Sequence, residues 1–134
     1  MAIIVRNKFP VDTDAAKAVG VNIPFSGTAV FISNYLTRDA IRNNIINFFS
    51  TSKGERVMNP LFGSVVKQTL YENMSINTEE TLKTIVTDEI NRFFPFVSLQ
   101  NVNIAANEDI NQLIITVTYS VINFGINDIV NITI

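Results

Sequence analysis

The 134-residue chain contains no cysteine, no histidine and no tryptophan. Without cysteine there is no disulfide framework and no thiol nucleophile, and without histidine there is neither an imidazole base nor the usual zinc ligand set. No metal site and no cofactor are expected, and any catalysis would have to run on carboxylates. Charge is also scarce: 10 Lys and Arg stand against 12 Asp and Glu, for a net charge of −2. No Lys/Arg cluster is present to supply the field that draws in nucleic acid or an anionic membrane. No apolar run reaches the roughly 18 residues of a membrane span, and the apolar run in the opening MAIIVRNKFPVDTD is too short for a signal peptide. The sequence therefore predicts an intracellular product that binds neither nucleic acid nor membrane.

Apolar side chains are abundant instead. They make up 47% of the residues, with a mean hydropathy of +0.25, high for a chain that must stay in solution. The excess implies apolar surface used at an interface. The length suits one domain, 1–134, with a core that needs no staples.

Breakers and periods divide this domain. Pro10, Gly20, Pro24 and Gly27 separate the short apolar runs Ile3 to Val5 and Ala29 to Ile32, which predicts an irregular N-terminal arm over 1–35 with strand-like pieces. A helical part is expected over 36–95. Its first helix has Thr37 as a plausible cap, Ile41, Ile45 and Phe48 at helical spacing with Ile46 and Phe49 beside them, and a stop before Gly54. A second helix is expected from Pro60 to about Asn73, capped by Asn59, with Leu61, Val65 and Leu70 facing inward. A third begins at Asn77 with Glu80 at capping-box spacing, carries Leu82, Ile85, Val86, Ile90 and Phe93 as one stripe, and ends at Pro95.

The period then becomes two. Residues 97–105 and the alternating Leu113, Ile115, Val117, Tyr119 and Val121 read as strands joined through ANEDIN, and DIVNITI follows a turn around Gly125 as a last strand. The expected fold is α+β: about three helices packed on a small, mostly antiparallel sheet built mainly from 96–134. DIVNITI is apolar and β-branched, with its only charge at the first residue. At a sheet edge it would invite another chain to add a strand. A central position, or cover from the N-terminal arm, would remove that invitation, and the sequence leaves both placements open.

Candidate chemistry is thin. The carboxylate pairs Glu79–Glu80, Asp88–Glu89 and Glu108–Asp109 and the lone Glu55 each have an ordinary structural reading. Glu79 and Glu80 suit a first helical turn, Asp88 and Glu89 can meet Arg92 along the helix, and Glu108 and Asp109 suit a solvated loop. No catalytic residue is assigned. The stretch KGERVMNPLFGSVV, residues 53–66, has two glycines but fails the phosphate-loop spacing, and Ser64 and Val65 rather than Lys follow Gly63. It reads as a shaped connector: Gly54 relieves the backbone after the first helix, Gly63 permits close packing, and Glu55 and Arg56 tie the loop to neighbouring backbone or to a partner.

Gly54, Glu55, Arg56, Pro60, Phe62, Gly63 and Ser64, with LYENM at 70–74 and the helix end NRFFP, give a pattern and an order of parts that carry a family likeness. Over roughly 25–134 the chain resembles the baseplate wedge and sheath-initiator family of contractile-tailed bacteriophages and related injection machines, including the type VI secretion system. Members commonly have Glu-Pro-Arg at the end of the long helix, where this chain has Phe94-Pro95-Phe96. The resemblance implies a structural, non-enzymatic virion protein of the tail baseplate, made in the host bacterial cytoplasm and working in a multi-copy ring. Its implied partners are other wedge proteins and tail sheath subunits. An apolar wedge contact is implied at Phe94, Pro95 and Phe96, and a sheath-pairing strand at Ile129, Val130, Asn131, Ile132, Thr133 and Ile134. Lysozyme-like labels attached to this family keep a carboxylate-based tail lysozyme using Glu55 as the alternative. A peptide-binding adaptor that works by strand addition is a weaker one.

Overall fold

A computed structural model describes residues 16–23, 33–70, 76–110, 112–122 and 125–134. In chain order the elements are β1 (Gly20–Val21), β2 (Ser33–Asn34), α1 (Thr37–Ser50), α2 (Val66–Leu70), α3 (Ile76–Phe93), β3 (Val97–Asn107), β4 (Gln112–Val121) and β5 (Ile126–Thr133). The expected α+β class is observed. β3, β4 and β5 form an antiparallel sheet in that order, and β1 and β2 pair as a separate short ribbon.

The alternation in β4 sends Leu113, Ile115, Val117, Tyr119 and Val121 to one face, and all five are buried. Val97 and Ile104 of β3 and Val130 and Ile132 of β5 join them. The opposite face carries Ile114, Thr116, Thr118, Ile129, Asn131 and Thr133, and among the described residues the helices cover one side of the sheet only. α3 lies against β3 and α1 against β5. The helical faces are those the spacing predicts, with Ile41, Ile45, Phe48 and Phe49 from α1 and Leu82, Val86 and Ile90 from α3 all buried. Phe48 is the centre of this layer. Phe62 and Phe94 meet its ring edge-on at 5.3 and 5.7 Å, and Phe93 lies tilted at 4.7 Å. Such ring pairs add about 0.5–1.5 kcal/mol each beyond the area they bury.

All three helix starts differ from expectation. Leu36 rather than Thr37 occupies the α1 cap, without a side-chain capping bond, and Thr37 is the first helical residue. α3 starts at Ile76, so Asn77 lies inside the helix rather than at its cap. The largest difference is α2, which begins at Val66 instead of Pro60. Gly63 sits at φ +124°, outside the helical region, and the preceding chain makes a parallel bridge between Ser52 and Ser64 instead of a helical turn. Leu61, expected on an inner face, is 62% exposed. The side chain of Leu70, and Tyr71 to Met74 of LYENM, lie outside the described residues, as do Ile3 to Val5 and Ala29 to Ile32.

Candidate functional site

The register of β4 and β5 decides what the terminal strand offers. Leu113 and Ile134 exchange both backbone hydrogen bonds at 2.9 Å. In an antiparallel pair such positions alternate with non-bonded ones. With Ile115 opposite Ile132, Val117 opposite Val130 and Tyr119 opposite Asp128, residues 126, 128, 130, 132 and 134 turn their backbone groups toward β4. Asn127, Ile129, Asn131 and Thr133 therefore turn theirs away. β5 is the last strand of the sheet, and among the described residues no strand pairs with that side.

The side chains of the expected sheath-pairing segment split the same way. Val130 and Ile132 are core residues, Ile134 is half-buried, and Ile129, Asn131 and Thr133 are exposed. Asn131 Oδ1 accepts the Thr116 hydroxyl at 3.0 Å across the outer face.

A polar cluster that sequence reading did not anticipate ties this strand to α1. Arg42 grips the Asp128 carboxylate with two nitrogens: Nε donates to Oδ2 at 2.8 Å, and the second nitrogen donates to Oδ1. Tyr119 Oη lies 3.4 Å from Asp128 Oδ2, and the Ile129 N–H donates to Asp128 Oδ1 at 2.9 Å. Burial alone would raise the Asp128 pKa. The Arg42 hydrogen bonds, the Ile129 N–H and the charges of Arg42 and Arg38 outweigh it, and the carboxyl sits below its ordinary value. Burial, then the Asp128 charge, pushes the Tyr119 phenol up, and the Asp128 hydrogen bond raises Arg42 further. The partners are 86 residues apart in the chain, and no short-range pattern marks such a pair. The one signal was a lone Asp at an inward position of a β-branched strand, which must find a cation or stay in water.

The connector between α1 and α2 is held by local chemistry. Ser64 N–H bonds Thr51 O at 2.9 Å, and Lys67 Nζ reaches Ser50 O at 2.8 Å, placing a cation at the C-terminal end of α1. A Cβ on Gly63 would lie 2.7 Å from the Ser52 carbonyl, so the close packing expected of this glycine is real, though it occurs ahead of α2 and not within it. Gly54 has φ +87°. Glu55 accepts the Ser52 N–H at 2.8 Å, and the Arg56 guanidinium stacks 4.3 Å over the Phe62 ring. Both therefore tie the loop to itself.

Glu89 does not serve Arg92. Its carboxylate takes the Ser64 hydroxyl at 2.5 Å and the Val65 N–H at 3.0 Å, while Arg92 lies over Phe93. Beyond this anchored base the loop carries Pro60 exposed and Val57 and Met58 at 94% and 96% exposure.

At the end of α3 the three residues of the expected wedge contact part company. Phe94 is 8% exposed and belongs to the core around Phe48, whereas Pro95 is exposed and Phe96 is 44% exposed. Only the latter two are open to a partner.

Glu79 lies in the first turn of α3, as its acidic character predicts, and Glu80, Asp88 and Asp109 are exposed. The Glu108 side chain lies outside the described residues. Among the described residues no group of His, Cys, Asp and Glu could hold a metal ion, and no helix is long and apolar enough to cross a membrane.

The class of protein is thus an α+β module with a helical layer on one face of its sheet and, among the described residues, a strand edge that nothing pairs. The family model for baseplate wedge protein gp25 matches residues 36–129, and the chain belongs to that family of structural tail-baseplate proteins. The matched span is narrower at both ends than the 25–134 over which the motifs resemble the family. The baseplate wedge protein gp25 of Enterobacteria phage T4 is 28% identical over 92 residues, covering 69% of this chain and 70% of that protein. A solved structure from Geobacter sulfurreducens, carrying a tail-lysozyme name, shares the fold with a TM-score of 0.63 and 22% identity, covering 70% of this chain and 86% of that one. At that identity the likeness is one of fold.

Proposed function

We propose that this chain is a non-enzymatic wedge component that joins other baseplate proteins and starts the tail sheath by accepting a sheath strand along β5. The carrying observation is the open side of β5, where the backbone of Ile129, Asn131 and Thr133 points away from β4. Strand addition there supplies hydrogen bonds and fixes register, while neighbouring apolar groups supply affinity. Pro95 and Phe96, and the Val57–Met58 tip, are exposed apolar groups on anchored backbone, suited to contacts with wedge neighbours in a multi-copy ring of the virion baseplate.

The test follows from the two-sidedness of β5. Deleting 129–134 would also remove the core residues Val130 and Ile132. Asn131→Pro instead removes an outward N–H that no ladder bond uses, which an edge strand tolerates. Particles carrying Asn131→Pro are expected to assemble baseplates without sheaths when imaged. Sheaths of normal length on such particles would count against the reading.

The tail-lysozyme name on the Geobacter structure favours a second reading, peptidoglycan hydrolysis. A glycosidase acid needs an enclosure that keeps it protonated. Glu55 is exposed and accepts a backbone N–H. Purified protein is expected not to clear cell walls in a turbidity assay, and lysis that disappears in Glu55→Gln would establish the enzyme.

A further inference from the structure

The open side of β5 is not uniform along its length. Asp128 occupies an inward position, yet one carboxylate oxygen bonds the outward N–H of Ile129 at 2.9 Å. The group therefore bends round the strand to its open side. Arg42 follows it there from α1, with its guanidinium engaged through two nitrogens and its side chain 40% exposed. Upstream of Ile129 the edge thus has a donor already consumed and a guanidinium beside it. Downstream, Asn131 and Thr133 present their N–H groups outward with no described partner. Inward-pointing charges are a recognised way for proteins to blunt a sheet edge.

We infer that the Arg42–Asp128 pair is a stop: it closes the edge upstream of Ile129 and thereby sets the register of the strand added to β5. The inference rests on the strand-pairing reading above. The open segment runs from the Ile129 carbonyl to Thr133, so the chemistry it accepts is one extended segment of about five residues, roughly 17 Å long. An incoming strand that continued past Ile129 would leave its own carbonyl facing a donor already bound to Asp128. It would also have to displace a paired guanidinium, and this penalty selects one register over its two-residue slip. The same stop keeps β5 from offering its full length to a second copy of the chain.

Residue-resolved amide exchange on the full chain, alone and with the purified sheath subunit of the same tail, tests this. In the free chain the Ile129 amide is expected to exchange about tenfold more slowly than those of Asn131 and Thr133, the effect of one charge-assisted bond. On adding sheath subunit, exchange should slow at Asn131 and Thr133 and stay unchanged at Asn127. In Asp128→Ala the slowing should spread upstream through Ile129 to Asn127. Asp128→Val, whose β-branched side chain suits a strand position, removes the same carboxylate and gives the same reading if Asp128→Ala folds poorly. Slowing at Asn127 in the parent chain, or no upstream spread in the variants, overturns the stop and leaves strand pairing intact. No slowing at any β5 amide overturns strand pairing, and the stop with it.

Discussion

The three-stranded sheet and the connector over 51–65 are stabilised in opposite ways. In β4 five alternate side chains are buried and, the Tyr119 hydroxyl aside, all contribute in the same way, so stability is spread over a periodic face. In the connector almost every residue that matters does something its neighbours cannot: Gly63 takes a left-handed φ against the Ser52 carbonyl, Ser64 and Val65 bond Glu89, and Arg56 covers Phe62. Burial is additive and tolerant of exchange between apolar side chains, whereas a shaped loop depends on individual atoms.

The sharpest way to break the comparison is to strike both regions with single substitutions. Ile115→Ala, at the centre of the sheet and fully buried, is expected to cost about 2–5 kcal/mol in urea unfolding. Gly63→Ala is expected to cost about 1–3 kcal/mol, because Ala must hold a positive φ and its Cβ meets backbone that cannot swing away. If Gly63→Ala were neutral, the connector would be as forgiving as the sheet.

Glu89→Ala is expected to cost about 1–3 kcal/mol, since it strands the Val65 N–H and Ser64 hydroxyl. Local exchange at 64–66 should rise more than exchange in β4; an equal rise throughout would mean that the connector and sheet open as one unit.

The smallest expected effect concerns pH. Asp128 has a folded-state pKa below its ordinary 3.8, so its ion pair contributes stability above that value and loses it as pH falls below it. Asp128→Asn is therefore expected to lower stability at neutral pH while flattening the acid side of the stability profile below about pH 4. An unchanged acid limb would show that Arg42 draws no net stability from the pair.

Legibility in the sequence followed the same division. The faces of α1 and α3, the three C-terminal strands and the turn at Gly125 could be read because repeated burial leaves a repeated signal, one that survives an error of a residue at either end. α2 starts later than the sequence suggests because Asn59-Pro60 looks like a helix start, and nothing local reveals that Gly63 packs on the Ser52 backbone eleven residues earlier. Glu89 was assigned to Arg92 by helix spacing, but its tertiary partners Ser64 and Val65 are better placed. Phe94 illustrates a third kind of difference: reading it beside Pro95 and Phe96 as surface ignored that Phe48 needed an edge-on neighbour. The family was legible in the sequence, and the family model matches over 36–129. Of the Arg42–Asp128 pair only the lone Asp128 in a β-branched strand leaves a trace, because nothing in a single sequence points to its partner 86 residues away.

The ladder between β4 and β5 also has a mechanical side. It runs from Val121 opposite Ile126 to the Leu113–Ile134 pair. A neighbour attached along the side of β5 away from β4 and pulling parallel to the strands would load every rung together in shear. A pull at right angles on Ile134 would instead open the rungs one at a time, like a zip. Orientation of the load, more than the number of bonds, would then decide whether this small sheet holds.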